Sequence, residues 1–559
     1  MKCRIFRISF SLVSLNIPHM SSPEPTATAP APSTSPRTNT GGVKDTIESI
    51  LVAFILAFVF RAFVVEAFVI PPGSMATTLL GAHMRFHCPD CGYEFDVNYT
   101  DPRSRGNPDS DDLPIPSNAG NLTGPIYCPN CGFQMISPQT DNPPVFYGDR
   151  LLVLKYLYLL QKPQRWDVVV FKAPTQMTVN YIKRLIGTPG ESVMILDGDI
   201  YIREPGETDF VVQTKPKKVQ DALWRLVYDN DFHPGPSLLE PEDPHHLDRS
   251  SAAWKQPWSI VDGSGWDLND SNTHGRTFVF SNDSGSSIMR FNPKANSTAQ
   301  SLNDYLVYDQ QPDRYDPTDY VSDVDLRLTY QRTTGTGPLE LTLTKRDHTF
   351  IAQITTNQTA LYHEYKGVRT LIGSPMALPT SAKSLRVEFS NADYQVTLRI
   401  NDDIAAQTKP TDFAPDIPAL LAEFDEGGKG PPPRIEISAA NQQSTVSHMS
   451  LWRDVFYYNV MPPSSPVLRD DPKNFPNNVA VLKNDEYFVM GDNSRMSFDA
   501  RCWPTGVHLP AEDLDVAAGR VPGRFLLGKA FYVYWPAGYL AHPSLPAFVP
   551  NFGAMRFIH

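Results

Sequence analysis

From Ile47 to Ile70 the chain carries its most hydrophobic stretch, unbroken from Ile50 to Phe60 and then interrupted by Arg61 and Glu66. A helix rises about 1.5 Å per residue, so about 20 residues cross a hydrocarbon core of about 30 Å. The pattern predicts one transmembrane helix over 45–67, with Arg61 close enough to its end for the charged head to snorkel to the interface. A buried helix of a soluble protein is the alternative. Arg37 and Lys44 precede the span, a faint positive-inside signal that puts the N-terminus in the cytoplasm and the rest of the chain on the exported side.

The segment before the span, 1–44, reads as a disordered cytoplasmic tail. Its first twenty residues resemble a weak export signal, with Lys2, Arg4 and Arg7 ahead of an apolar stretch broken by Ser11, Ser14 and Asn16. No small-residue cleavage site follows, and a translation start at Met20 is the simpler reading. Ser21 to Gly42 is mostly Pro, Ser, Thr and Ala, with no apolar residue larger than these, and cannot bury enough surface to offset its ordering entropy. Over all 559 residues the net charge is -12, which leaves no basic surplus for phosphates and excludes general nucleic-acid binding.

Immediately after the span comes Val69-Ile70-Pro71-Pro72-Gly73-Ser74-Met75, a serine beside a glycine a few residues from the membrane. A serine hydroxyl is a poor nucleophile without a neighbouring base. The sequence has no Gly-x-Ser-x-Gly elbow and no His and Asp at spacings that suggest a triad, which leaves a Ser–Lys pair as the alternative. Lys183 sits in Tyr181-Ile182-Lys183-Arg184-Leu185-Ile186, an apolar strand that ends in a Pro-Gly turn. Read alone it is an ordinary solvated lysine. Desolvation by Ile182, Leu185 and Ile186 would make its amine a usable base.

Taken together the motifs resemble the bacterial type I signal peptidases, in order along the chain. Pro72-Gly73-Ser74-Met75 with Thr78-Leu79 is similar to that family's nucleophile box. Gly148 to Val153 and Trp166 to Phe171 are similar to the strands before the lysine, and Tyr181 to Gly190 to the lysine box. Gly491-Asp492-Asn493 with Ser497, Asp499 and Arg501 resembles the last box, and Gly528-Lys529-Ala530 its closing strand. The resemblance implies that Ser74 is the nucleophile and Lys183 the general base. It implies that Ser497 holds the lysine amine, that Asp499 and Arg501 form a buttressing ion pair, and that Arg184 supports the lysine. It also implies cleavage of signal peptides from exported preproteins at the bacterial inner membrane, with small side chains bound in shallow apolar pockets, and no cofactor for catalysis; Ile70, Met75 and Ile186 are read as pocket lining by their proximity to the motifs. Three positions depart from the family pattern. Pro72 stands where some members carry an oxyanion-binding serine, Thr77 replaces a proline, and Ser494-Arg495-Met496 replaces Arg-Asp-Asn. An inactive membrane-tethered binding protein is the competing function, and a self-cleaving repressor of the same core is a third.

Two insertions interrupt this core, leaving 68–205 and 454–559 as its two parts. Within 83–145, Cys88-Pro89-Asp90-Cys91-Gly92 and Cys128-Pro129-Asn130-Cys131-Gly132 account for four of the six cysteines. Paired knuckles of this kind point four thiolates at one tetrahedral zinc, a zinc-ribbon-like site with a structural role. Two disulfides are the alternative in an oxidising compartment, and His83 and His87 are read as surface residues. The span 206–453 holds alternating runs such as Leu339-Leu341-Leu343, Leu385-Val387-Phe389 and Val396-Leu398-Ile400, which predict an antiparallel, jelly-roll-like β-sandwich. Its pattern leaves carbohydrate or protein binding open, with Trp254, Trp258 and Trp266 read as packing residues. The chain as a whole is expected to be mainly β.

Overall fold

The computed structural model describes residues 44, 46–55, 65–70, 73–99, 126–136, 145–174, 176–234, 254–269, 275–293, 302–309, 319–379, 383–459, 479–503, 506–509, 514–536 and 551–559. The tail before residue 44, the loop between the cysteine knuckles and Pro72 therefore lie outside the described residues. Residues 46–55 are helical, and Ile47, Ile50, Leu51, Val52, Phe54 and Ile55 are all exposed. No described helix is long and apolar enough to cross a membrane. The predicted helix over 45–67 is also too long at its far end, because Val65–Val69 is a β-strand. Its five residues pair antiparallel with Arg150–Leu154, so this end of the apolar run, rich in β-branched and aromatic side chains, is spent on a sheet edge.

The remaining described chain is mainly β. Among the described residues an eight-stranded sheet runs in the order Val65–Val69, Arg150–Leu154, Leu526–Trp535, Val168–Ala173, Gln176–Gly187, Glu486–Met490 and Val521–Pro522, with Arg556–Phe557 added to Leu526–Trp535. Its neighbours come from both ends of the sequence, so this sheet closes only once the chain has returned from the long span between. A four-stranded sheet of Val211–Val212, Asp199–Arg203, Ser192–Leu196 and Val479–Val481 lies beside it, and the two share one apolar core that includes Leu185, Ile186, Val193, Ile202, Phe488 and Val489.

Among the described residues between Arg225 and Arg453 the strands form a single hydrogen-bonded set of thirteen. Its spine is the nineteen-residue strand Ile435–Arg453. Along its length this strand pairs with Arg225–Asp229, Thr277–Phe291, Val324–Gly335 and Leu339–Lys345. The alternation read from sequence is the burial pattern here: Leu339, Leu341 and Leu343 are buried while Glu340, Thr342 and Thr344 are only partly covered. Trp258 and Trp266 are buried in the same core and Trp254 packs on its rim, so none of the three presents an open face.

A buried ionic network joins this part to the four-stranded sheet. Lys345 Nζ donates to Asp323 Oδ1 at 2.6 Å and to Asp199 Oδ2 at 3.0 Å. Lys215 Nζ donates to Asp454 Oδ2 at 2.7 Å and to Asp393. Burial pushes the Asp393 carboxyl up to about 6 against the pull of Lys215. Asp199, Asp323 and Asp393 bring their oxygens near enough to one another for a cation, but the two ammonium groups already supply the positive charge. Such a network adds little net stability over an apolar core, yet removing one partner strands its counter-charges. Lys345→Met is expected to cost about 3–5 kcal/mol, seen as an earlier midpoint in urea unfolding.

Candidate active site

The turn after Val65–Val69 is held by its own backbone. Ala76 N–H donates to Gly73 O at 3.0 Å and Leu79 N–H to Met75 O at 2.9 Å. Met75, Ala76 and Leu79 are fully buried and pin the turn, leaving Ser74 6% exposed. Lys183 lies in the strand Gln176–Gly187, paired with Val169 on the next strand. It is 1% exposed, and its Nζ is hydrogen-bonded to Ser74 Oγ at 2.8 Å. Side chains two apart share a face of a strand, so Tyr181 and Leu185 line the lysine's side. The Tyr181 ring centroid is 5.4 Å from Nζ. Ile182 instead joins Ile70 and Met75 in a separate apolar cluster, and Ile186 belongs to the larger core.

The segment from Gly491 closes over this pair. A Cβ on Gly491 would lie 2.3 Å from Ser497 Oγ and 2.4 Å from the Ser74 carbonyl oxygen, so only glycine lets the two serine segments approach. Asn493 N–H donates to that same Ser74 carbonyl at 3.0 Å, and Asn493 Nδ2 donates to Gly73 O at 3.2 Å. Two buried, bidentate arginine–carboxylate pairs frame the arrangement. Arg184 donates through Nε and Nη2 to Asp492 at 2.7 Å each. Arg501 donates through Nε and Nη2 to Asp499 at 2.8 and 2.7 Å. Burial works against both guanidinium charges, but the paired carboxylates leave both raised above the ordinary arginine value. Asp499 Oδ2 also accepts from Gly491 N–H at 3.0 Å, so the ion pair orients the glycine that the serines need.

Ser497 reaches this floor fully buried, but its hydroxyl has no hydrogen-bond partner among the described residues. Sequence reasoning quoted Asn493 within its motif without giving it a contact. It missed Arg225 altogether, a lone arginine of the long insertion whose sequence surroundings carry no signal. Arg225 Nη2 donates to Ala76 O at 3.0 Å and Nη1 to Thr77 Oγ1 at 2.6 Å.

The two cysteine knuckles have the same backbone. Cys88 N–H donates to Tyr93 O and Gly92 N–H to Cys88 O; Cys128 N–H donates to Phe133 O and Gly132 N–H to Cys128 O. Gly92 and Gly132 have φ of 78° and 73°, a left-handed turn that glycine adopts freely. The four cysteines are buried and free, with Cys88 Sγ 3.6 Å from Cys131 Sγ and Cys91 Sγ 3.6 Å from Cys128 Sγ. All four sulfurs lie within 4.8 Å of one another. A tetrahedral ion with ligands at about 2.3 Å has sulfur–sulfur edges of about 3.8 Å, so the donor set fits zinc. His83 and His87 stand outside this cluster, His83 being buried with Nδ1 against Gly81 O and His87 exposed.

Residues 135–283 and 450–535 match the family model described as signal peptidase, peptidase S26. The chain is 26% identical over 162 residues to signal peptidase I of Rickettsia typhi, covering 29% of this chain and 44% of that protein. Signal peptidase I of Rickettsia akari is 41% identical over 58 residues, which cover 10% of this chain and 22% of that protein. The chain thus spans less than half the length of these curated relatives. Among solved structures, the carbohydrate binding module CBM66 from Bacillus subtilis matches at 9% identity, covering 35% of this chain and 94% of that one, with a TM-score of 0.23. The laminarinase catalytic domain from Thermotoga maritima matches at 7% identity, covering 41% and 98%, with a TM-score of 0.25. The two matched family segments carry the Lys183 strand and the Gly491–Arg501 segment, whereas Ser74 lies before them. By these two segments the chain is similar to the signal peptidase, peptidase S26, family.

Proposed function

We propose that this chain is a membrane-bound serine endopeptidase that removes N-terminal signal peptides from exported preproteins with a Ser74–Lys183 dyad. The observation that carries this reading is the 2.8 Å contact between a lysine amine and a serine hydroxyl, both buried, next to a turn held by a second chain segment. A neutral Lys183 amine takes the hydroxyl proton as Ser74 Oγ attacks the scissile carbonyl. The tetrahedral intermediate collapses to an ester on Ser74, and the ammonium returns the proton to the departing amine. Water, deprotonated by the same amine, then hydrolyses the ester. With a proline at position 72, the Ser74 backbone N–H is the oxyanion donor that this segment can offer. Arg184, Asp492, Asp499 and Arg501 fix the segments, and the role we assign to Ser497, whose buried hydroxyl has no hydrogen-bond partner among the described residues, is to hold the amine when the lysine is protonated.

The apolar run ahead of Val65–Val69 supports a membrane anchor, with the body at the exported face of a bacterial inner membrane. From Val69 to Ser74 the chain reaches about 17 Å at most, which keeps the nucleophile where a membrane-embedded leader ends. Cys88, Cys91, Cys128 and Cys131 would hold one structural zinc, which cross-links the two knuckles and takes no part in the acyl transfer.

Ser74→Ala and Lys183→Ala should each lower precursor cleavage on the order of 10⁴-fold or more, with the double variant no worse than either, because the two groups act as a unit. Lys183→Arg should be equally inactive, since a guanidinium stays protonated. Cleavage of a purified preprotein, followed by gel shift, checks all four. Near-normal turnover in any of them would exclude the dyad, and an inactive wild type would favour the binding-protein reading.

Elemental analysis is expected to find about one zinc per chain, lost in Cys91→Ser together with a lower melting temperature. Intact mass showing the four thiols oxidised in protein taken from the native membrane would replace the metal with disulfides.

A further inference from the structure

The insertion does more than decorate the protease: three of its side chains stand against the nucleophile turn. A Cβ on Gly73 would lie 2.6 Å from Tyr308 Cε1. Asn493 Nδ2, which donates to Gly73 O, also donates to Asp309 Oδ1 at 2.8 Å. Arg225 makes the most direct contact. It begins the strand Arg225–Asp229 and sits across from Arg453 at the end of the long spine. Arg453 turns to Asp304 and the Tyr305 carbonyl. Arg225 turns the other way, to Thr77 Oγ1, Ala76 O and, at 3.4 Å, Asp492 O.

All three acceptors are neutral, and no carboxylate lies within ion-pair distance of Arg225 among the described residues. Burial lowers the pKa of this guanidinium, the Asp492 and Asp304 carboxylates beyond ion-pair distance offsetting only part of it. What it gains is a grip on the nucleophile turn from both sides. On one side it holds the Ala76 carbonyl directly. On the other it donates to the Asp492 carbonyl, whose peptide carries the Asn493 N–H that donates to Ser74 O. A cation on a peptide oxygen polarises that peptide and strengthens the hydrogen bond from its N–H. The carbonyls on either side of the turn are thus fixed through one side chain.

We infer that Arg225 is a positioning residue for the nucleophile, supplied by the insertion, which ties the Ser74 turn to the Gly491–Asn493 segment. The inference rests on the Ser74–Lys183 reading. A displacement of about 1 Å in a reacting atom can cost about 10²-fold in rate, so the effect belongs in the chemical step rather than in substrate binding.

The test is pre-steady-state acylation of the full-length enzyme by a p-nitrophenyl ester, which separates the burst amplitude from the burst rate. Cleavage of a short signal-peptide substrate supplies kcat and KM. Arg225→Met should retain the wild-type burst amplitude, while the burst rate and kcat fall about 10–100-fold and KM stays within twofold. Arg225→Lys, which can still reach one carbonyl, should fall between. A reduced amplitude with an unchanged rate per active site would make Arg225 a folding residue only and overturn the inference, as would a kcat within twofold of wild type. If Arg225→Met does not fold, Arg225→Gln carries the same criteria. Ser74→Ala run in parallel separates the two readings: a burst that survives it would remove the dyad, whatever Arg225 does.

Discussion

A lysine amine held out of water against a serine hydroxyl is the constraint around which this structure is arranged. The two side chains are 109 residues apart in sequence, and neither strand nor turn would bury them alone. Burying an amine costs several kcal/mol unless its environment compensates, so the surroundings have to be rigid and fully assembled. The chain meets that demand with charge-assisted pairs, one of which spans a still longer separation. Arg184 and Asp492 join residues 308 apart, and the Asp499–Arg501 pair fixes the backbone of Gly491, the one position where both serine segments close on a bare Cα.

The long insertion is bound into this scheme. Its thirteen-stranded set is tied to the four-stranded sheet by a network of Lys345 and Lys215, each bridging two buried aspartates. Its leading strand delivers Arg225 to the turn that carries Ser74. Simple insertion into a loop would need only close termini. Here, fully buried ions and direct hydrogen bonds cross the junction, so the two parts must fold against each other before either has satisfied its polar groups. The cysteine knuckles work on a smaller scale. Two copies of one left-handed turn bring four sulfurs within 4.8 Å of one another, inside an apolar cluster that includes Met84, Phe86, Val97 and Ile126.

Local patterns were legible in the sequence because they depend on neighbours along the chain. Alternation marked Leu339–Lys345 and the strands at 385–400; Cys-Pro-x-Cys-Gly spacing marked the knuckles; Gly-Asp-Asn and Tyr-Ile-Lys-Arg marked the segments around the lysine. The apolar run from Ile47 misled at its far end, since hydrophobicity does not distinguish a helix from a sheet edge. Only a pairing partner, Arg150–Leu154, decided that Val65–Val69 is a strand. Ser497 shows the same limit: its motif brought it to the site, but not to a hydrogen bond with any described residue.

By itself, then, the sequence determined a mainly β chain, the thiol cluster and the chemical types at Ser74, Lys183, Asp499 and Arg501, because each rests on residue identity and short spacing. Tertiary structure alone decided which acid meets Arg184 and that an arginine from the insertion meets the turn that carries Ser74. Those outcomes depend on contacts between segments hundreds of residues apart, where burial and the need to satisfy every polar group select one arrangement that no local pattern encodes.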